Sequence, residues 1–300
     1  MKKTFWITGS RGFIGSYLSQ ALINNGYEVI KLTNSPTNNK NIIYANFSDP
    51  LHIKNVIKKY RTPDTFIHLG WGNVYDPHHE CHIKENIDDG INLIDEFYNA
   101  GVKRIILVGS SSEYGTRVGS LKESHLPLGE INNYVKGKIA LSRYGLEKKK
   151  KLNQFFIHVR LFYTYGAGQK HNSLINQLYY NSINDKEMDL SPCEHYRDYI
   201  HISEAIEGLI RIAQVDQSGI INLGSGKVIL LKNFVKLFWK ELGANSKKLN
   251  FGSHEVPKLE QSQPKSYADL SILKSRTNWM PSITIENGIK KTVKDLHTST

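Results

Sequence analysis

The sequence predicts an α/β fold, a doubly wound parallel sheet followed by a smaller C-terminal lobe. Short apolar runs alternate with amphipathic helical stretches through the first half of the chain, which is typical of a parallel sheet covered by helices on both faces. A glycine-rich turn joins the first strand to the first helix. Beyond about residue 165 the alternation weakens, and there we expect the lobe to begin.

Each element follows from its local pattern. The strands of the first half are short runs rich in β-branched and aromatic residues, predicted over Thr4–Thr8, Gly26–Thr33, Ile42–Ala45, Thr65–Leu69, Arg104–Val108 and Phe155–Leu161. Helices are predicted between them over Ser16–Asn25, Pro50–Tyr60, Cys81–Ala100 and Asn133–Lys150. Later strand segments are predicted over 198–201, 219–223 and 247–251, later helices over 203–215 and 230–242, and a frayed tail over 297–300.

The turn after the first strand carries glycines at Gly9, Gly12 and Gly15. The first glycine permits the sharp turn, the second lets the backbone approach a pyrophosphate, and the third lets the helix pack close to the strand. The helix that follows presents free N–H groups and its positive dipole end to the phosphates. Because the strand before and the helix after are the required context, we predict a nucleotide-cofactor site.

Composition excludes several classes of protein. The formal net charge of +11 favours anionic ligands, but the basic residues are mostly scattered lysines, so no nucleic-acid partner is predicted. The dense cluster Lys148–Lys151 is interpreted as the solvated end of a helix. Two cysteines, Cys81 and Cys193, form neither a disulfide framework nor a metal-ligand spacing and fit a reducing cytosol. The sequence has no run of about 18 apolar residues, so no membrane span is predicted. The apolar stretch near the start is too short for a signal peptide.

Tyr134 and Lys138 stand four residues apart on a predicted helix and therefore share one face. A lysine ammonium beside a phenol favours the phenolate, so we expect it to pull the pKa of Tyr134 from about 10 toward neutrality, especially with a cationic nicotinamide ring nearby. Such a tyrosine can exchange a proton with a sugar hydroxyl or carbonyl. Ser110 lies at the carboxyl end of the fifth predicted strand, where ligands bind in parallel sheets, and its hydroxyl would bond the same oxygen.

These motifs together resemble the extended short-chain dehydrogenase/reductases, and among them the epimerases, 4,6-dehydratases and 4-keto-reductases that act on nucleotide sugars. The resemblance covers about residues 4–290. Further matching stretches are His68-Leu-Gly70-Trp71, Asn86 in the following helix, Val159–Gly166, Arg197–His201 and Asn222-Leu-Gly224-Ser-Gly226.

The resemblance implies a division of labour between two parts of the chain. A dinucleotide-binding Rossmann domain would span 1–165, joined by about 195–225, and a substrate-binding lobe would take most of 166–300. Tyr134 would be the general acid/base, Lys138 would tune it and hold the nicotinamide ribose, and Ser110 would orient the sugar oxygen. The implied cofactor-binding residues are Gly9, Ser10, Arg11, Gly12, Phe13, Ile14, Gly15, Thr33, Asn46, Phe47, Leu69, Gly70, Trp71, Asn86, Tyr134 and Lys138. The implied substrate-binding residues are Ser111, Ser112 and Arg197, and no metal is implied.

Two departures from the family pattern narrow the activity. Dehydratases carry an acidic pair after the catalytic hydroxyl, where this chain has Ser111 and Ser112, so dehydration is not expected, although Glu113 lies close by. NAD-preferring enzymes carry an acidic residue at the end of the second strand, where this chain has Thr33. Arg11 would instead meet a 2′-phosphate, so NADP(H) is preferred over NAD(H).

An enzyme that draws on NADPH usually reduces its substrate. We therefore predict a cytoplasmic NADPH-dependent reductase of a nucleotide-linked keto-sugar. A nucleotide-sugar 4-epimerase with tightly held NAD is the alternative enzyme, and a cofactor-bound sensor or scaffold without turnover is the alternative of another class. The resemblance also implies a homodimer formed through the helices at 81–100 and 133–150.

Several other residues are interpreted with more than one role left open. Trp71 lines the sugar pocket or packs in the core. Four basic residues either contact nucleotide phosphates or are surface charges: Lys170, His171, Arg197 and Lys265. Cys193 precedes the Arg197 motif and lies near the substrate without an identified activating group. The histidines His78, His79 and His82 are interpreted as part of a polar loop and not as a metal site.

Overall fold

The computed structural model describes residues 2–148, 153–255 and 265–298. Its strands are β1 (Thr4–Thr8), β2 (Glu28–Thr33), β3 (Ile42–Tyr44), β4 (Thr65–His68), β5 (Arg104–Ser110), β6 (Gly119–Leu121), β7 (Phe155–Leu161), β8 (Tyr163–Tyr165), β9 (Met188–Leu190), β10 (Tyr196–Arg197), β11 (Tyr199–His201), β12 (Gly219–Leu223), β13 (Ile229–Leu230), β14 (Leu249–Phe251) and β15 (Ser266–Ala268). The helices are α1 (Phe13–Asn24), α2 (Pro50–Tyr60), α3 (Glu85–Asn99), α4 (Asn133–Glu147), α5 (Leu174–Ile183), α6 (Ile202–Ile212), α7 (Leu231–Glu241), α8 (Ser271–Thr277) and α9 (Ile285–Thr298).

A seven-stranded parallel sheet forms the centre of the molecule, in the order β12-β7-β5-β4-β1-β2-β3. The strand order reverses between β1 and β4. At such a switch point the loops after neighbouring strands diverge and leave a crevice beyond the carboxyl ends, where ligands bind in this architecture. The predicted doubly wound sheet is therefore confirmed, and it places Gly9, Gly70 and Ser110 at the same edge.

Apolar residues of the helices cover both faces of this sheet. Leu18 and Leu22 of α1 and Leu209 of α6 belong to the cluster on one face. Leu93 of α3 and Leu141 of α4 belong to the cluster on the other. Burial of these side chains is the main source of stability, at about 1.5–3 kcal/mol for each fully buried large aliphatic side chain.

A third apolar cluster lies in the later part of the chain. It contains Leu178 of α5, Phe234 and Phe238 of α7, and Val293 of α9. The segment at 219–223 returns to the central sheet as β12, paired in parallel with β7. The predicted domain boundary at 165/166 stays a prediction.

Two helices of the first half differ from their predicted bounds. Helix α1 begins at Phe13 and not at Ser16, because the Gly12 amide bonds the Gly9 carbonyl at 3.0 Å and closes the turn early. The helix predicted over 81–100 is instead a short 3-10 turn, Glu80–His82, followed by α3. Lys84 separates the two with a non-helical backbone (φ −117°, ψ −97°).

Of the cluster Lys148–Lys151, only Lys148 is described; it follows α4 and forms an ion pair with Asp95 of α3, while the rest lies outside the described residues. The predicted frayed tail is helical through Thr298. Among the described helices, none is long and apolar enough to cross a membrane.

Candidate functional site

The glycine turn after β1 forms a backbone cradle at the switch point. Gly9 adopts the left-handed conformation (φ +70°) that side chains rarely tolerate. A Cβ at Gly15 would lie 2.1 Å from the Gly9 carbonyl oxygen, so α1 packs against the turn only because residue 15 has no side chain. No side chain caps the first turn of α1, which leaves its amide donors available to a phosphate. The cradle therefore fits the pyrophosphate of a dinucleotide.

A cavity of about 380 Å³ lies over this cradle. It gathers many of the predicted cofactor-binding residues and several unpredicted neighbours, and its lining comprises Gly9, Ser10, Arg11, Gly12, Leu32, Thr33, Asn34, Ser35, Phe47, His68, Gly70, Trp71, Gly72, Asn86 and Asp89. The exposed Arg11 side chain turns toward β2, and its Nη2 donates to the Thr33 hydroxyl at 3.2 Å. The two residues on which the predicted cofactor choice depends therefore touch one another.

The other predicted cofactor-binding residues support the cavity from outside its lining. Phe13, Ile14 and Leu69 pack against the apolar cluster beneath the turn. The Asn46 side chain accepts from the amide of Ser48 two residues later, which shapes the loop before α2. Asn86 fixes the chain that follows β4. Its side-chain amide both accepts from and donates to the backbone of Gly72, at 3.1 Å in each direction.

Asp89 is the main cavity residue that sequence reasoning missed. Its carboxylate accepts from Asn34 Nδ2 at 3.1 Å and from the Ser48 hydroxyl at 2.8 Å, and so ties α3 to the loops after β2 and β3. The spacing from Asn86 was the available signal, since residues three apart share a helix face. A carboxylate thus faces this cavity, although it does not come from the end of β2.

Tyr134, Lys138 and Ser110 meet at the carboxyl ends of β4 and β5. Tyr134 lies in the first turn of α4, and the side chain of Asn132 caps this helix at the amide of Val135. The Ser110 hydroxyl donates to the Ser112 hydroxyl at 3.1 Å, and it also lies near the Tyr134 phenol, where its influence acts to lower the pKa of that phenol. The Lys138 ammonium is buried, donates to the Val108 carbonyl at 2.9 Å, and lies 5.9 Å from the centroid of the Tyr134 ring. The predicted trio is therefore brought together.

The prediction that the pKa of Tyr134 falls toward neutrality is wrong for the protein without its cofactor. Burial, together with the negative charge of Glu113, raises the pKa of Tyr134 to about 12. The Lys138 ammonium does not offset this effect, since its own burial lowers the pKa of Lys138 to about 7. Tyr134 is consequently a neutral phenol at physiological pH, ready to give a proton.

Glu113 is completely buried between β5 and β7. Its carboxylate accepts from the Ser110 amide at 2.8 Å, from Arg160 Nε at 3.1 Å, and pairs with His158 Nε2 at 2.7 Å. Burial alone raises the pKa of Glu113, but these partners bring it below its ordinary value. The carboxylate therefore holds Ser110 in place, and it is not directed at a leaving hydroxyl group.

The three predicted substrate-binding residues also meet. Ser111, Ser112 and Arg197 line one small cavity of about 30 Å³ with Tyr163 and Tyr196. The Arg197 guanidinium lies 4.7 Å from the centroid of the Tyr163 ring and donates to the Tyr196 carbonyl. The neighbouring Asp198 is buried and accepts from the amides of Ser225, Gly226 and Ala268, so it joins later segments to the site.

The other residues whose roles were left open make contacts with neighbouring side chains. Lys170 lies over the ring of Tyr75, His171 stacks on Tyr180, and Lys265 lies over the ring of Tyr196. Cys193 is buried beside the hydroxyl of Ser191. His82 accepts a hydrogen bond from the indole of Trp71.

Comparison with known proteins gives this geometry a family. The family described as "NAD dependent epimerase/dehydratase family" matches residues 5–224 of the chain. The CDP-abequose synthase of Salmonella muenchen is 25% identical, over 97% of this chain and 97% of that protein. The dTDP-6-deoxy-L-talose 4-dehydrogenase (NAD(P)(+)) of Kitasatospora kifunensis is 22% identical, over 95% of this chain and 93% of that protein.

Among solved structures, the UDP-glucose 4-epimerase of Thermotoga maritima, determined with UDP-glucose, has the same fold. Its TM-score is 0.83, with 21% sequence identity over 99% of both chains. The resemblance to nucleotide-sugar-modifying short-chain dehydrogenase/reductases is thereby confirmed, as is the expectation of an enzyme. With the parallel sheet, the glycine cradle and the family match in agreement, the chain belongs to the NAD dependent epimerase/dehydratase family of enzymes.

Proposed function

We propose that this enzyme reduces the keto group of a nucleotide-linked keto-sugar, with NADPH as the preferred cofactor. The observation that carries the proposal is the hydrogen bond between Arg11 and Thr33 at the cavity over the glycine cradle. It sets a guanidinium beside the neutral hydroxyl with which β2 ends, and a guanidinium suits a phosphate. Cofactors phosphorylated at this ribose serve mainly as reductants.

The residues of the cradle and cavity would hold the cofactor. Amides of the first turn of α1 would bind its pyrophosphate, Arg11 its adenosine ribose, and Lys138 the ribose beside the nicotinamide. When bound, the cofactor supplies the hydride. The chain's own residues then have to orient the substrate carbonyl and supply a proton.

Ser110 and Tyr134 are placed for that task. The Ser110 hydroxyl would bond the carbonyl oxygen of the sugar, and Tyr134 would donate its phenolic proton to the same oxygen as the carbon accepts the hydride. The raised pKa of Tyr134, about 12, keeps the phenol protonated at neutral pH, which is the state that a reduction requires. The Lys138 ammonium would stabilise the phenolate that remains until solvent restores the proton.

The residues around the second cavity would contact part of the substrate, since a volume of about 30 Å³ admits only a small group of it. Arg197 offers a guanidinium, and Ser111 and Ser112 offer hydroxyls, in a space bordered by the rings of Tyr163 and Tyr196. This combination suits the anionic diphosphate and the hydroxyls of a nucleotide sugar. The dTDP-sugar 4-dehydrogenase among the relatives is named for oxidation at carbon 4 with either nicotinamide cofactor, which is the reverse of the reaction proposed here.

A 4-epimerase with tightly held NAD is the second candidate, and Asp89 favours it. This carboxylate faces the cofactor cavity beside Asn34, immediately after Thr33, and it would accept a hydrogen bond from a ribose hydroxyl or repel a 2′-phosphate. An epimerase must first oxidise its substrate, so Tyr134 would have to act as a base. Its protonated state in the protein alone makes reduction the better-supported reaction.

The test is a panel of CDP-, UDP- and dTDP-linked 4-keto-6-deoxy sugars offered with NADPH or NADH. We expect loss of NADPH absorbance with at least one of them, in step with formation of the corresponding deoxy-sugar nucleotide. Interconversion of two hexose nucleotides without added cofactor, and without NADPH consumption in the panel, would contradict the reductase and support the epimerase.

A further inference from the structure

The indole ring of Trp71 lies against the ammonium of Lys138. Lys138 Nζ is 3.9 Å from the centroid of the Trp71 ring, within the range of a cation–π interaction. The lysine side chain is only 2% exposed, so this contact is removed from water, where such interactions are strongest. Trp71 lies shortly after β4 and lines the cofactor cavity, so this contact joins that cavity to α4, the helix that carries Tyr134 and Lys138.

Trp71 is itself fixed by a chain of hydrogen bonds. Its Nε1 donates to His82 Nδ1 at 3.0 Å, so that ring nitrogen carries no proton. His82 Nε2 then donates to the Asp76 carbonyl at 2.8 Å. The indole plane is thus held by the loop after β4 and does not depend on Lys138 for its orientation.

Gly137 allows α4 to approach this arrangement. A Cβ at this position would lie 2.2 Å from the His82 carbonyl oxygen and 3.0 Å from the Trp71 ring. The glycine stands between Tyr134 and Lys138, so the close packing occurs at the level of the catalytic pair. The backbone of the catalytic helix is therefore fitted to the tryptophan and its support.

The charged and titratable groups around Lys138 give it little other support. His68 of β4 is neutral, because its burial and, to a lesser extent, the charge of Lys138 lower the pKa of His68 to about 3. From the turn after β5, Glu113 attracts the ammonium, but its carboxylate is already engaged by Arg160 and His158. Tyr134, on the same helix as Lys138, is a neutral phenol at physiological pH.

We propose that Trp71 is a positioning residue whose indole face keeps Lys138 in its ammonium form and holds it beside Tyr134. The proposal rests on the proposed function only where Lys138 is taken to assist Tyr134. Burial lowers the pKa of Lys138 to about 7, which would leave much of the lysine uncharged at neutral pH. An aromatic face stabilises the charged form and therefore acts in the opposite direction.

The direct test is a titration of Lys138 in the protein without substrate. Lysine labelled with carbon-13 at Cε gives an NMR signal that reports its charge, and Lys138→Arg assigns the signal by its loss. We expect Trp71→Leu to lower the pKa of Lys138 by about one unit relative to the wild type. Trp71→Phe keeps an aromatic face and loses the bond to His82, and we expect a smaller decrease.

If Trp71→Leu does not fold, a second measurement uses a change that leaves the shape of the side chain almost unaltered. Fluorinated tryptophan retains the shape and the N–H of the indole while withdrawing charge from its face. The chain has four tryptophans, and among the described residues Trp71 is the one whose ring faces a lysine, so the signal of Lys138 reports on it. The pKa of Lys138 should fall stepwise as fluorine atoms are added to the ring, and an unchanged pKa would overturn the proposal.

The outcomes separate this proposal from the proposed function. An unchanged pKa of Lys138 in Trp71→Leu, or equal decreases in the leucine and phenylalanine variants, would overturn the role of the aromatic face. The expected decrease in an enzyme that reduces no keto-sugar would support the role of Trp71 and contradict the reductase. In an active enzyme, the alkaline limb of the pH profile of turnover should move to lower pH in Trp71→Leu by the same amount.

Discussion

Arg11→Ala tests the structural basis of cofactor choice. Arg11 reaches Thr33 at the edge of the cofactor cavity, where a 2′-phosphate would take the place of the Thr33 contact or add to it. Hydrogen bonds to charged groups contribute about 1.5–3 kcal/mol, and the exposure of Arg11 to solvent places it at the lower end. We therefore expect the dissociation constant of NADPH to rise roughly 10- to 30-fold, since each 1.4 kcal/mol is about tenfold. The dissociation constant of NADH should hardly change.

The assay is a titration of the protein with each cofactor, followed by calorimetry or by nicotinamide fluorescence. Lys31→Ala is the matched control, because Lys31 lies on β2 but lines a separate cavity that shares no lining residue with the cofactor cavity. It removes the same charge without touching the cofactor cavity. If Arg11→Ala changes the NADPH-to-NADH ratio no more than Lys31→Ala does, the assignment of NADP(H) is refuted.

Asp89→Asn tests the same cavity from the opposite side. Its carboxylate is neutralised, while the new amide keeps one oxygen that can accept from Asn34 and gains an NH2 group that can donate to the Ser48 hydroxyl. Removing a negative charge beside a 2′-phosphate should tighten NADPH binding about threefold or more, with an effect that weakens at high salt. A large loss of NADH affinity in this variant, with no change for NADPH, would instead support tightly held NAD and the epimerase.

Three further predictions follow from the site. Tyr134→Phe should lower turnover at least ~100-fold while cofactor binding persists, as expected for the loss of a general acid, and turnover near that of the wild type would contradict its role. Glu113→Ala should lower the free energy of unfolding by about 3–5 kcal/mol in denaturant titrations, because it leaves the buried charge of Arg160 without its partner; since the pKa of Glu113 is lowered in the folded protein, the stability that Glu113 contributes is present at neutral pH and should fade below about pH 4 in the wild type. Gly15→Val should abolish cofactor binding or folding, and a variant that binds NADPH normally would contradict the packing of the glycine cradle.

The parts of this site that follow local rules could be predicted from the sequence. The glycine turn, the helix after it and the shared face of Tyr134 and Lys138 depend on neighbours within a few residues. Strand alternation was sufficient to predict a parallel sheet, and the sheet brings the carboxyl ends of distant strands together. Ser110 was placed correctly beside Tyr134 for that reason.

Contacts between distant segments could not be predicted in the same way. Glu113 follows Ser110, the predicted catalytic serine, so closely that a role in dehydration stayed open, yet Arg160 and His158 of β7 bind its carboxylate. The pKa of Tyr134 depends on how deeply the phenol is buried, which no local spacing reveals, and the expected decrease was therefore wrong. Asp89 was missed because its neighbours in space, Asn34 and Ser48, are far away in sequence.

The most direct test of the proposed reduction is to follow the transferred hydride itself. NADPH carrying deuterium on the reactive face of nicotinamide carbon 4 is incubated with the keto-sugar nucleotide that the panel identifies, and the product is analysed by mass spectrometry and NMR. A reductase of the proposed kind gives a deoxy-sugar nucleotide one mass unit heavier, with the deuterium on the former carbonyl carbon and one NADPH consumed for each product molecule. A product without deuterium, or an epimer formed with no net consumption of NADPH, would contradict the account.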